Sequence, residues 1–268
     1  MLSIFLILLA RMVDAISIII LGAIGIGGGI AGSIVGVGGG IIFTPALTFL
    51  GLQPTQISST SLIAVAFTSI SSTVSFARAK RIAYGTASKL AFLSAPGAVL
   101  GAYLSAVMSS DLFKITFSII LILAAIYILF GRHLKERRVD RRDSSYHLLV
   151  AYFFAFTAGL VSSLFGVGGG IIFVPLLLIM MNMKMHQAAP TSQFIIMISA
   201  VIGLTIHILL GHPAYAHALS LAVGAFAGGI IGAEISGYLR ERLLRIILST
   251  YLLLVASRII FEVSEDAV

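Results

Sequence analysis

The sequence predicts an all-α integral membrane protein: two inverted repeats of about five hydrophobic segments each, with glycine-rich broken or re-entrant helices in each half. Three observations carry that prediction. Hydrophobic residues make up 59% of the 268 positions and charged residues only 10%, and the mean hydropathy is +1.12. A soluble domain carries about 25% charged residues, so this chain lacks the charge to solvate a globular surface. Its apolar residues fall into runs, most of them near the roughly 20 residues a bilayer crossing needs. The second half of the chain also repeats the first.

The runs cover about 15–35, 41–52, 61–77, 90–108 and 113–130, then 147–165, 171–181, 194–210, 218–234 and 243–261. The run 2–10 is too short to span before Arg11 and Asp14. No basic region precedes it, so it reads as an apolar extension of the first helix rather than a signal peptide. Between the two sets lies a charged stretch, 132–143. The expected organisation is one transmembrane domain over 1–268, with repeat one at about 15–131 and repeat two at about 145–262.

The repeat is direct to read. GSIVGVGGGIIFTPAL, beginning at Gly32, recurs as SSLFGVGGGIIFVPLL, beginning at Ser162. The offset is 130 at the glycines and 131 afterwards: Thr60-Ser61 matches Thr191-Ser192, Ala83-Tyr84 matches Ala214-Tyr215, and Gly101 matches Gly232. Internal repeats of this kind are typical of secondary transporters.

Loop charge orients the halves. Arg78, Lys80, Arg81 and Lys89 mark one loop of the first half as cytoplasmic, and Arg132, Lys135, Arg137, Arg138, Arg141 and Arg142 mark the central loop. In the second half the counterpart of the Arg78 loop, 211–217, has no Lys or Arg, and Arg240, Arg242 and Arg245 make the next loop basic. With Lys184 inside, all 17 Lys and Arg except Arg11, Lys114 and Arg258 are cytoplasmic. The basic loops have changed sides between the halves, which implies inverted repeats with both termini outside a plasma membrane.

The strongest functional signal is the doubled GVGGG: Gly36, Gly38, Gly39 and Gly40, and Gly166, Gly168, Gly169 and Gly170. Glycine weakens a helix by about 1 kcal/mol per residue relative to alanine, and broken backbone at membrane depth is tolerated only where protein encloses it. Two such breaks present backbone N–H groups and positive helix ends to one anion from both sides. Close helix packing is the competing reading. It is preferred for Gly29, Gly32, Gly101, Gly228, Gly229 and Gly232. Pro45 and Pro175 follow five residues past each motif, as packing kinks or gating points. No lysine follows as in a phosphate-binding loop.

The second signal is Ser58-Ser59-Thr60-Ser61 and its counterpart Pro190-Thr191-Ser192-Gln193. Both stand where the apolar part of a third segment begins. They are expected either to cap that helix or to add hydroxyl donors to an anion site. Gln193, an amide among apolar residues, needs partners. His207 lies late in its run and is a candidate ligand or an interfacial residue. Glu234 is expected to pair with Arg240, Arg258 with Glu262, and Lys89 to anchor the interface. The tail residues Glu262, Glu265 and Asp266 read as a solvated end.

The absence of cysteine removes disulfides, thiolate metal sites and a cysteine nucleophile. There is no HExxH, no GxSxG and no close carboxylate pair within a run. No enzyme, cofactor, metal or nucleic-acid role is expected, because the net charge of +7 sits in loops between membrane segments.

On the paired GVGGGIIFTP and GVGGGIIFVP, the Thr60-Ser61 and Thr191-Ser192 positions, and the glycine-rich segments starting at Gly97 and Gly228, the chain resembles the TauE/SafE permeases, the sulfite exporter family. The resemblance covers essentially the whole chain. It implies transport of small anions, often sulfur-containing: sulfite, thiosulfate, sulfonates or related organic acids. The expected site comprises the eight glycines with Thr60, Ser61, Thr191, Ser192, Gln193 and His207, near mid-membrane between the halves. Leu62 stands where the second half has Gln193, so a symmetric site is not expected. An anion channel with glycine-rich selectivity loops is the alternative. Exact substrate, direction, oligomeric state and coupling ion, proton or sodium, are left open.

Overall fold

Residues 2–130, 144–238, 249–250 and 253–261 are described in a computed structural model, with side chains described for 17–126, 149–238, 249–250 and 253–261. The central loop 132–143, the loop carrying Arg240, Arg242 and Arg245, and the tail with Glu262, Glu265 and Asp266 lie outside the described residues.

Every regular element among the described residues is helical. The first half contains α1 (Leu2–Val35), α2 (Gly40–Thr48), α3 (Pro54–Arg78), α4 (Tyr84–Val107) and α5 (Ser110–Phe130). The second contains α6 (Ser144–Phe165), α7 (Gly170–Ile179), α8 (Met185–Leu209) and α9 (Tyr215–Ile235), followed by helical residues 253–261. The start of α1 at Leu2 makes the run 2–10 a continuation of the first helix, as expected.

Among the described residues, five helices are long and apolar enough to cross a membrane: Ser17–Val35 within α1, then α3, α4, α8 and α9. By contrast α2 has 9 residues and α7 has 10. At 1.5 Å per residue each rises about 13–15 Å, about half a hydrocarbon core. The second segment of each half therefore falls short of a crossing on its own.

Two helices begin earlier than their apolar runs indicate. α3 starts at Pro54, which occupies the first helical position, and the Gln53 amide donates to Gln56 Oε1 at 3.3 Å. α8 starts at Met185. The first turns of both are polar, so hydropathy alone places the starts too late. Thr60-Ser61 and Thr191-Ser192 are consequently inside helices, and the expectation that they cap a helix start is corrected. Buried hydroxyls along α3 bond back to the preceding turn instead, as Ser58 Oγ does to Pro54 O (2.9 Å) and Thr68 Oγ1 to Ala64 O (3.0 Å). Such back-bonding satisfies a hydroxyl without a bulky partner.

Packing exchanges partners between the halves. α1 lies along α9, and α4 along α6. These contacts advance together along both helices: Gly25 meets Leu221, Gly29 meets Ala225 and Gly232 meets Ile30, so α1 and α9 run in the same direction. Gly97 against Phe156 and Gly101 against Leu160 align α4 and α6 likewise. A methyl group at Gly29 would lie 2.6 Å from the Ala225 carbonyl oxygen, and one at Gly232 2.5 Å from that of Ile30. The small-residue packing expected for Gly29, Gly101, Gly228, Gly229 and Gly232 is what they do, and Gly32 packs against its own half at Gly39.

The corresponding helices α3 and α8 cross in the opposite sense. Leu62 reaches Gly203, and Phe76 clusters with Phe194. Val65 and Ile196, equivalent by the 131-residue offset, mark the crossing point by touching the same two glycines.

The glycine crossing, a candidate anion site

The two GVGGG segments meet back to back where the halves join. Gly36, Gly38 and Gly39 have φ of 83°, 87° and 83°, and Gly166, Gly168 and Gly169 have 71°, 91° and 70°. That left-handed region is open to glycine at little cost and disfavours other residues by about 1–2 kcal/mol. The fourth glycine of each motif is required for space. A methyl group at Gly40 would lie 2.5 Å from Val167 Cα, and Gly170 abuts Val37 in the reciprocal contact. Gly38 and Gly168 both face Val65 and Ile196.

Hydrogen bonds tie each break to the opposite half in matched pairs. Ser61 Oγ donates to Gly166 O at 2.7 Å, and Ser192 Oγ donates to Gly36 O at 2.7 Å. Thr60 Oγ1 accepts from the Ala214 amide and Thr191 Oγ1 from the Ala83 amide, both at 3.1 Å. All four side chains are fully buried. The threonines thus secure the turns before α9 and α4, whereas the serines sit at the crossing itself.

Each short helix starts at the crossing. Gly39 and Gly169 are the N-cap residues. Ile42 and Phe43 donate back to Gly39 O (2.9 and 3.2 Å), and Ile172 and Phe173 to Gly169 O (3.0 and 3.1 Å). The amides of Gly40, Ile41, Gly170 and Ile171 precede any intrahelical acceptor. Two positive dipole ends, each equivalent to about half a unit charge, therefore point into one buried region. Pro45 and Pro175 lie within α2 and α7, where each removes a further backbone donor.

Symmetry stops at particular side chains. Gln193 is fully buried, and its Nε2 donates to Gly32 O at 2.7 Å while its Oε1 has no partner among the described residues. Leu62 occupies the equivalent place in the first half. Thr44, which the sequence reading did not single out, donates to Phe165 O (2.9 Å) and lies 3.0 Å from Ser61 Oγ. Val174 stands in its position in α7. The available signal was this Thr-to-Val difference inside otherwise matching motifs.

His207 is away from the crossing. It is fully buried near the end of α8, with Nε2 3.0 Å from Ser163 O and Nδ1 2.9 Å from His212 Nδ1. His212 was missed as its partner, although it lies only five positions further along the chain. Glu234 and Lys89 are on α9 and α4. The expected partners Arg240 and Glu262 lie outside the described residues. No cluster of three or more His, Cys, Asp or Glu that would hold a metal occurs among the described residues.

A profile of the family described as "Sulfite exporter TauE/SafE" matches residues 21–259. The chain belongs to the TauE/SafE family. Among its TauE/SafE-like relatives, "Probable membrane transporter protein YunE" of Bacillus subtilis (strain 168) is 30% identical over 270 residues, covering 92% of this chain and 98% of that protein. "Probable membrane transporter protein MJ0441" of Methanocaldococcus jannaschii is 28% identical over 241 residues, 84% of this chain and 88% of the relative. "Probable membrane transporter protein YfcA" of Escherichia coli (strain K12) is 24% identical over 208 residues, 78% and 77% respectively. No solved structure matches the chain significantly. The TauE/SafE chain is accordingly a multi-pass membrane transporter, consistent with the five long apolar helices among its described residues.

Proposed function

We propose that this transporter is a secondary carrier of small anions, sulfur-containing oxyanions and sulfonates foremost, and that it binds them at the glycine crossing. The observation that carries the proposal is the convergence of two buried helix starts on one point, each broken by glycines in left-handed conformation. A buried anion needs donors, and helix ends supply partial positive charge without the tight grip of a fixed ion pair. Ser61 and Ser192 now donate to carbonyls of the opposite half. Turning those hydroxyls toward an anion frees the carbonyls and loosens the contact between halves, which links binding to rearrangement.

The antiparallel crossing of α3 and α8, and the exchange of partners between halves, support the reading as inverted repeats. So does the basic-loop asymmetry, which favours a cytoplasmic central loop and external termini. The close approach of Val65 and Ile196 to Gly38 and Gly168 favours a carrier over a permanently open channel.

Counterflow in liposomes tests this. Purified protein should accumulate radiolabelled sulfite, thiosulfate or isethionate against an excess of the same unlabelled anion inside. Uptake without stimulation by internal anion indicates a channel. Absence of uptake across these and small carboxylates rejects the anion assignment.

A further inference from the structure

Outside the crossing, one buried group has geometry that fixes its hydrogen positions. The Ser163 carbonyl can only accept, so His207 Nε2 carries a hydrogen and donates to it at 3.0 Å. In the neutral ring His207 Nδ1 is then a bare acceptor, and the short 2.9 Å Nδ1–Nδ1 contact requires His212 Nδ1 to donate. The pair has room for one additional proton: His212 Nε2 takes it from water, and the Nδ1 hydrogen of His212 passes to His207 Nδ1. The charge moves one ring inward with no other rearrangement. His212 is half-buried in the turn after α8, whereas His207 is fully buried. The relay therefore runs from an accessible edge into the protein.

We infer that His207 and His212 form the proton-loading site of this transporter, so that one proton moves with each substrate anion. This rests on the transporter reading above and names its coupling ion.

Three further observations point the same way. First, the acceptor Ser163 is on the last turn of α6, three residues before Gly166, so a cation on His207 acts directly on the segment entering the second glycine break. Second, the hydroxyls of Ser162 and Ser163 are buried without a partner among the described residues. Ser163 Oγ sits where a side chain at Gly203, one turn before His207, would go. Third, the corresponding slot in the first half holds Phe76 and Arg81, with the guanidinium 5.1 Å from the ring centroid and bonded to Ser236 Oγ at 2.9 Å. One half thus carries a permanent cation where the other carries a pair that gains or loses a charge.

α6 presents the Ser163 carbonyl and hydroxyl, and α3 presents Leu62 beside Gly203. His212 is the titratable side chain that faces His207, ring against ring. Tyr215 and His217 on the first turn of α9 are the nearest titratable groups along the chain beyond the turn. Burial pushes the His212 imidazole below its ordinary value, so the extra proton is held weakly enough to be released.

Two measurements decide the proposal. In nanodiscs with 15N-labelled histidine, NMR between pH 8 and 5 should show coupling across the Nδ1–H–Nδ1 bond and both rings responding together to a single proton. Independent titration of the two rings, or no response of His207, overturns it, whether or not transport is detected. In liposomes with isethionate, a sulfonate with no titratable proton near neutrality, an imposed pH gradient should drive accumulation with one proton per anion, read by an internal pH dye. His207→Gln, whose amide still reaches Ser163 O, should lose at least tenfold of the gradient-driven accumulation while keeping counterflow. Unchanged gradient response in both His207→Gln and His212→Gln overturns the coupling. Absence of counterflow in the wild type is a failure of the anion-carrier reading instead, and the NMR titration then decides the proton site alone.

Discussion

The Ser61 hydroxyl of the first half donates to the Gly166 carbonyl of the second at 2.7 Å, within the contact that brings the two glycine breaks together. Its mirror relation, Ser192 to Gly36, has the same length. Leaving a buried carbonyl unpaired costs about 1–3 kcal/mol. Ser61→Ala and Ser192→Ala should each lower thermal stability in detergent by that order, and the double variant should lose more than either. Unchanged melting of the double variant would show that the serines are not latches.

Gly39→Val and Gly169→Val should abolish transport while the protein still inserts at normal abundance. At φ of 83° and 70° a β-branched residue is strained, and a side chain at Gly39 meets the Gly28 carbonyl at 2.7 Å. Counterflow per mole of membrane-inserted protein is the measurement. Full activity in both variants would reduce these glycines to packing residues.

Gln193→Ala should weaken anion affinity more than folding. Gly32 O keeps its bonds from the Gly36 and Val37 amides, both 2.9 Å, so the loop retains support when the amide is lost. The expected loss is about tenfold in affinity, equivalent to about 1.4 kcal/mol. A melting-temperature drop with unchanged affinity would assign Gln193 to structure.

Because the chain has no native cysteine, single cysteines report sidedness cleanly. Ala79→Cys in the turn after α3 and Leu210→Cys in the turn after α8 should label from opposite faces of the membrane, with Ala79 cytoplasmic. Labelling of both from one face would exclude the inverted arrangement.

Acid should destabilise the protein through His212. Burial lowers its folded pKa, so the unfolded chain binds a proton more readily than the folded one. That contribution to stability is complete above the unfolded value of about 6.5 and falls as pH drops below it. Melting temperatures should decrease between pH 7.5 and 5, and His212→Gln should flatten that slope.

Hydropathy, repeats and loop charge are local or periodic properties, so the membrane class, the two halves and the glycine breaks were legible in the residues alone. The packing glycines were legible for the same reason: in a membrane, helix approach depends on residue size at fixed spacing. Helix starts were not, because the polar first turns of α3 and α8 carry no hydropathy signal, so capping stood beside anion binding as a reading of Ser61 and Ser192 although both lie inside helices. That Gly40 touches Val167, that Gly38 and Gly168 share Val65 and Ile196, and that His207 meets Ser163 and His212 emerges only once the helices are packed. Those contacts depend on how α3 and α8 cross and on which half each helix packs against. No local stretch of residues encodes that geometry; it follows from fitting two glycine-broken halves into one buried volume with their backbone carbonyls satisfied.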